Sequence, residues 1–515
     1  MRWTIDLFGK LLAPASRRFK ADLQQPQLAQ ERVQRQIFKS LLASEYGKSL
    51  GISETTAWDE IPIVEYTDLA PWIDRQRAAK INLLSPEPVI FYERTSGSSS
   101  AAKWIPYTKS LRQSFSAMFG IWAHDLITNG CKFTTGRVYF CVSPQLGQSA
   151  SNETPGLADD SEYLDGWLRW FLRPFLVSVP GVNRLSAAEF KHQLCSALLV
   201  AENLEIISIW SPSFLTVHLD YIATHRDRLR TELAGKISAD RSQLLTEPEI
   251  PWMQLWPQLK LISCWDNANA ADRADYLRSL FPQVLVQGKG LLATEAPMTI
   301  PLIAARGCVP IVDRVLFEFI DSTHQIRKLT ELEIGKIYTI IISQLGGLYR
   351  YKIGDRVRVT HYYLNTPCLE FVGRDRSISD LVGEKLQSEF VGDAIASLGD
   401  LGANFQSLVP ARQPQEHYVL LLDRTNLEIT EIIDRLEAAL TRSPQYHHAR
   451  SLGQLTPLEV LVSPHIPEIA LLARQNDPQQ AHVRWGDIKH QLLANKPIGD
   501  DLLARLRLVG IGDRG

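Results

Sequence analysis

Apolar residues recur at four-residue steps near the start of the chain. Val33, Ile37 and Leu41 share one face, so residues 1–50 read as helical with Gly47 as their stop. Pro62, Pro71, Pro86 and Pro88 then mark an extended approach to a strand-like run, Val89-Ile90-Phe91, and Ser110–Ile127 returns to helical spacing. Strand patterns at Arg137–Ser143, Leu204–Trp210, Leu259–Trp265 and Val284–Gln287 alternate with helical ones over Ala187–Val200, from Pro212 to near Leu229, and near Ala270–Leu280. Ser186 and Glu189 have capping-box spacing, and Ser211-Pro212 supplies a cap and a first-turn proline. This is α/β patterning. The aromatic run Tyr163, Trp167, Trp170, Phe171, Phe175 has the spacing of a buried helix face.

From Pro310 the apolar runs change character. Pro310–Ile320, Ile334–Ser343 and Leu348–Thr360 are strand-rich, and Gly346-Gly347 turns one into the next, which predicts antiparallel pairing. Past Arg374 the residues become polar (Asp375, Arg376, Ser377, Ser379, Asp380), as expected of a hinge into a smaller region. Strands at His417–Asp423 and Leu455–Val462 with a helix at Leu427–Ala439 predict an α+β tail.

Composition narrows the class without naming it. A chain of 515 residues exceeds one ordinary core and predicts two or more domains. A net charge of −2 offers no bulk attraction to nucleic acid or anionic membranes. The six cysteines form no C-x-x-C pair, which favours buried free thiols in a reducing cytosol over a disulfide framework or zinc site. No apolar run approaches the roughly 18 residues of a membrane span, and Asp6 and Lys10 interrupt any signal-peptide core, leaving an opening helix. The expected setting is cytoplasmic.

Three stretches carry candidate chemistry. The first, Thr95-Ser96-Gly97-Ser98-Ser99-Ser100, follows the Val89–Phe91 strand and precedes Lys103. Small hydroxylated residues let N–H and O–H donors converge on an anion, and an ammonium supplies counter-charge. The loop lacks the second glycine of G-x-x-x-x-G-K-[ST], and Trp104 follows the lysine. Alone it reads as readily as a solvated turn. The second stretch, Gly290-Leu291-Leu292-Ala293-Thr294-Glu295, places one carboxylate after a strand, where it can hold Mg²⁺ beside a nucleotide or simply be solvated. The third, Tyr351-Lys352-Ile353-Gly354-Asp355, puts an aspartate at an expected strand end, suited to ribose hydroxyls or to a hairpin turn.

In this order the stretches resemble the auxin-responsive (Gretchen Hagen) family of acyl-acid amido synthetases, a branch of the adenylate-forming, firefly-luciferase-like superfamily. Thr95–Pro106, Ala293-Thr294-Glu295 and Tyr351–Asp355 match its motifs; Phe371-Val372-Gly373-Arg374, Gly383-Glu384-Lys385-Leu386 and Arg450–Leu455 match further landmarks. The resemblance implies an α/β fold with a large N-terminal adenylate-forming domain of mixed sheets flanked by helices (1–374), a hinge (375–380) and a smaller mobile α+β C-terminal domain (381–515). It implies a ligase that uses ATP and Mg²⁺ to adenylate a carboxylic acid, then passes the acyl group to an amine such as an amino acid. Neither nucleic acid nor membrane is an expected partner.

By the same resemblance, Thr95, Ser96, Gly97, Ser98, Ser99, Ser100 and Thr294 bind the nucleotide, with the four serines on its phosphates; Lys103 is catalytic, neutralising phosphate charge, and Glu295 holds the metal. Asp355 holds the ribose, Arg374 contacts ribose or phosphate, and Lys489 is the small-domain catalytic lysine, with Lys496 as its rival. The chain departs from the superfamily at Leu291, where a tyrosine usually stacks on adenine; a leucine can cover a base only by apolar contact. An acid–thiol ligase using the same adenylate, or a nucleotide-binding homologue without turnover, are the alternatives.

Overall fold

The computed structural model describes residues 2–94, 103–140, 173–179, 185, 187–267, 270–374, 378–379, 381–382, 384, 386–451, 454–475 and 492–512. They group into two units, one ending at Arg374 and the other beginning at Ile378. The aromatic run from Tyr163 to Phe171, and Ser186 of the expected capping box, lie outside the described residues.

The first unit opens with three helices rather than one: α1 (Arg2–Gln24), α2 (Pro26–Ala43) and α3 (Glu45–Ser49). The break falls at Pro26, whose missing N–H suits a first turn. Gly47 lies inside α3 instead of ending a helix, and the position requires glycine, since a Cβ there would sit 2.0 Å from the Leu41 carbonyl oxygen. Val33, Ile37 and Leu41 bury the predicted face, a burial worth roughly 1.5–3 kcal/mol per side chain. After α4 (Tyr66–Ala79), β1 (Val89–Arg94) pairs antiparallel with β2 (Trp104–Thr108), and α5 (Lys109–Asn129) follows at once.

Next comes a sheet of parallel strands, β3 (Arg137–Phe140), β4 (Leu204–Ser208), β5 (Leu261–Cys264) and β6 (Leu285–Gly288), paired in chain order. Helices α6 (Ala187–Val200), α7 (Pro212–Thr224) and α8 (Ala271–Leu280) fill the crossovers, as parallel strands require. Leu204, Leu261 and Ile262 are fully buried, matching the continuous apolar runs of a covered parallel sheet.

A tight hairpin, β7 (Leu292–Ala293) and β8 (Ala296–Pro297), leads to the paired strands β9 (Thr299–Leu302) and β10 (Gly307–Pro310). The expected antiparallel sheet then forms from β11 (Leu316–Ile320), β12 (Ile326–Lys328), β13 (Ile337–Gln344), β14 (Leu348–Tyr363) and β15 (Thr366–Arg374), in the order β12-β11-β13-β14-β15. Its apolar face and the opening helices share one core, which includes Ile37, Leu41, Ile340, Ile342 and Val357.

The second unit is α+β. Two short strands, β16 (Ile378–Ser379) and β17 (Leu386–Gln387), precede a sheet of β18 (Gln406–Ala411), β19 (His417–Leu422) and β20 (Glu459–Val462), antiparallel and then parallel. Helix α9 (Ile429–Leu440) buries Ile432, Leu436 and Leu440 in the core formed with β19.

Candidate active site

Within the first unit, β2, the β7–β8 hairpin and β14 are tied together by side chains that sequence reasoning passed over. Tyr107 on β2 is fully buried and donates its hydroxyl to the Thr294 carbonyl at 2.9 Å. The Trp104 amide donates to the Tyr66 oxygen at 2.7 Å. Lys103 Nζ lies 3.5 Å from the buried Tyr351 hydroxyl and 5.5 Å from the centroid of the Tyr66 ring. Burial pushes the Tyr66 phenol above its usual range, against the pull of the Trp104 hydrogen bond. Lys103 therefore lies between two tyrosines at the head of β2.

Thr294 and Glu295 form the tip of the hairpin, since Ala293 pairs with Ala296. The sequence expectation of a carboxylate at a plain strand end is corrected to one at a two-residue turn. Glu295 is 6% exposed. Its main-chain oxygen takes a 3.5 Å bond from Gln344 Nε2, but among the described residues no donor meets its carboxylate. A carboxylate at a hairpin tip that no donor engages is open to a cation as its partner. Among the described residues no cluster of three or more His, Cys, Asp or Glu could form a metal cage. Mg²⁺ needs none, because phosphates and water complete its octahedron around one or two carboxylates.

Asp355 also sits differently from expectation. It lies within the 16-residue strand β14 and not at its end. The β13–β14 register slips between Thr339–Arg356 and Ile341–Lys352, leaving Ile353, Gly354 and Asp355 in a bulge, with Gly354 at φ +85°. On the other side the register slips again between Gly373 and Phe371, with Gly373 at φ +143°. Bulges re-aim side chains beside active sites, and here they bring Asp355 opposite Arg374 in the ladder. Asp355 is 5% exposed. The side chain of Arg374 is outside the described set, as are Thr95, Ser96, Gly97, Ser98, Ser99, Ser100 and Lys489. Lys496, the rival to Lys489, is described and exposed.

Two further expectations change. A strand, β2, separates the Ser-rich loop from α5, so the order is strand, loop, strand, helix; the α5 N-terminus is already capped by Thr108, whose hydroxyl accepts from the Leu111 amide. Leu291 does not offer itself to a base. It is 5% exposed and packed in the core, because Gly290 turns at φ +69° and the Leu291 carbonyl accepts from the Met298 and Thr299 amides at 3.0 and 3.1 Å. Tyr351 had a signal in the Tyr349-Arg350-Tyr351 alternation; Tyr66, far from any motif, had none.

Comparison with known proteins places this arrangement. The GH3 family N-terminal domain matches residues 15–250 and the GH3 family central domain residues 308–374, together well over half of the chain. The chain belongs to the GH3 family. Among curated GH3 relatives, the indole-3-acetic acid-amido synthetase GH3.2 of Arabidopsis thaliana is 20% identical over 463 residues, 77% of this chain and 84% of the relative. The jasmonoyl–L-amino acid synthetase GH3.5 of Oryza sativa subsp. japonica is 48% identical over 144 residues, 26% of this chain and 25% of the relative. With several of these relatives the matched segment spans only about a quarter of their length. Among solved structures, the AtGH3.15 acyl acid amido synthetase in complex with 2,4-DB superposes with a TM-score of 0.77 at 17% identity, covering 97% of this chain and 96% of that one. That likeness shows that this GH3 chain shares the fold of that structure. Among the described residues, no helix is long and apolar enough to cross a membrane.

Proposed function

We propose that this GH3 protein is an ATP-dependent acyl-acid amido synthetase. The observation that carries the reading is the convergence of Lys103, the Thr294–Glu295 turn and the Tyr351–Asp355 segment through Tyr66 and Tyr107, in a family whose curated relatives include amido synthetases. In the first step a carboxylate oxygen of the acid attacks the α-phosphorus of ATP. The bond to the β-phosphate oxygen breaks, and pyrophosphate leaves with the electron pair. In the second step an amine nitrogen attacks the acyl carbon, the bond to the phosphate oxygen breaks, and AMP departs as the amine loses a proton.

The residues divide this work. Lys103 and the loop Thr95–Ser100 face phosphate charge; Asp355 accepts from the ribose hydroxyls, with Arg374 beside it. Glu295 fits Mg²⁺, being a carboxylate at the hairpin tip with no donor among the described residues; a bound Mg²⁺ would neutralise charge on the transferring phosphates. Lys489 serves the α-phosphate from a small domain that reorients about the 375–380 hinge between the two steps. The test is acid-dependent exchange of labelled pyrophosphate into ATP across a panel of carboxylic acids. The reading predicts exchange with some acids and none without acid. No exchange across the panel, with the protein folded and Mg²⁺ present, refutes it.

A further inference from the structure

The C-terminal edge of the parallel sheet holds a second cation that none of the three motif stretches explains. Strands β4, β5 and β6 end at Ser208, Cys264 and Gly288, and ligands of open α/β sheets bind beyond such ends. Lys289 follows β6 directly. Only 8% of it is exposed, its Nζ donates to Ser208 Oγ at 2.8 Å, and the same Nζ lies 5.0 Å from the centroid of the Trp210 ring. Its backbone is fixed as well, since its amide donates to the Cys264 carbonyl at 3.0 Å. Trp210 and Trp265 adjoin the same edge, their rings 5.7 Å apart and tilted by 44°, with the Trp265 amide bonded to the Trp210 carbonyl at 2.8 Å.

The geometry combines a positive point charge, held by a hydroxyl and a ring, with two half-buried indoles. In a low-dielectric wall a pre-positioned ammonium favours an arriving anion, because it pays no reorganisation when that anion binds. The indoles select for an anion that carries a flat apolar body, which a phosphate does not. Gly290 then turns the chain at φ +69° toward Thr294 and Glu295, so this edge and the proposed metal ligand belong to one short segment.

We propose that Lys289 anchors the carboxylate of the acid substrate, with Trp210 and Trp265 flanking the apolar body of that acid. This rests on the adenylation reading above and adds the residue that orients the nucleophilic carboxylate. The ammonium is a point charge on a flexible stem, so it can hold one carboxylate oxygen while the other faces the α-phosphorus.

The experiment measures acid-dependent pyrophosphate exchange on the full chain for parent, Lys289→Met and Lys289→Arg, with KM determined separately for acid and for ATP. Removing a charged hydrogen-bond partner raises the acid KM of Lys289→Met by about ten- to a hundredfold, leaves the ATP KM within about twofold, and is partly reversed in Lys289→Arg. An unchanged acid KM, or an equal rise in both KM values, overturns the anchor. Ser208→Ala, which frees the ammonium from its hydroxyl without removing charge, gives a second arm if Lys289→Met does not fold. It raises the acid KM alone, and no change in that KM overturns the anchor. If the parent exchanges with no acid, the adenylation reading falls and takes the anchor with it; if the parent exchanges and the variants match it, only the anchor falls.

Discussion

Arg350 grips both carboxylate oxygens of Glu318, at 3.1 and 2.8 Å, with both residues buried. The same guanidinium donates to the Asp59 and Ile61 carbonyls at 3.0 and 2.6 Å, and Trp58 Nε1 adds a bond to Glu318 at 3.0 Å. The pair thus pins the 58–61 turn to the sheet next to Tyr351. Removing one partner strands the other charge. Arg350→Met is expected to cost about 3–5 kcal/mol, read from the urea midpoint, whereas Arg350→Met with Glu318→Leu loses clearly less. Equal losses in the single and double variants would contradict the pairing.

Gly354 turns the β14 bulge at φ +85°, and a Cβ there meets nothing within 4 Å. Its substitution therefore tests backbone conformation without steric collision. Gly354→Ala is expected to destabilise by about 1–2 kcal/mol, while the KM for ATP rises more steeply as Asp355 loses its aim. A KM unchanged at that loss of stability would separate the bulge from nucleotide binding.

Glu295→Gln removes a carboxylate that has no donor among the described residues, so the fold should hold to within about 0.5 kcal/mol. Exchange activity should fall by about two orders of magnitude or more, with the Mg²⁺ dependence shifted to higher concentration. Retained activity at low Mg²⁺ would remove Glu295 from the metal.

The second unit carries an acid-sensitive clamp. Glu459 bonds Arg507 at 2.6 Å and His417 at 3.3 Å. Burial alone would push its carboxyl up, but the His417 and Arg507 hydrogen bonds outweigh it and bring the pKa down to about 2. The bond to Glu459 raises His417 above its ordinary value. A depressed carboxyl stabilises fully above its unfolded pKa of roughly 4.3 and loses that contribution as pH falls toward 2. The raised histidine contributes fully below roughly 6.5 and loses it as pH climbs through its higher folded value. Glu459→Gln should therefore flatten the acid limb of the stability profile of the chain, measured by urea melts between pH 2 and 5. An acid limb identical to the parent would contradict the clamp.

Tyr418 and Glu384 offer a second test in the same unit. Glu384 accepts from the Leu381 and Val382 amides at 2.8 Å each and from the Tyr418 hydroxyl, which also reaches Ser379 at 3.0 Å. This fastens the end of the proposed hinge, at Ser379, and the segment after it to β19. Tyr418→Phe is expected to cost about 1–3 kcal/mol and to raise amide exchange across residues 378–387. Unaltered exchange there would mean that the segment is held by its other contacts.

Much of the fold was legible because long apolar periods dominate it. The α6 limits at Ala187 and Val200 and the antiparallel turn of the chain after Pro310 follow directly from spacing. What escaped was set by long-range packing. Strand β2 hides behind Pro106, though Ile105 and Tyr107 are fully buried. Gly354-Asp355 reads locally as a turn, and only pairing with both β13 and β15 makes it a bulge. Leu291 occupies a motif position, yet the hairpin that follows draws it into the core. Tyr66, Tyr107 and the Arg350–Glu318 pair join segments distant in sequence, so no local pattern marks them.

The most direct measurement follows carboxylate oxygen. An acid labelled with heavy oxygen is incubated with ATP, Mg²⁺ and an amino acid, and the products are weighed by mass spectrometry. Attack of the carboxylate on the α-phosphorus predicts one labelled oxygen in AMP and an amide that keeps the other. Amide formed with unlabelled AMP, or with the label in inorganic phosphate, would contradict an acyl-adenylate.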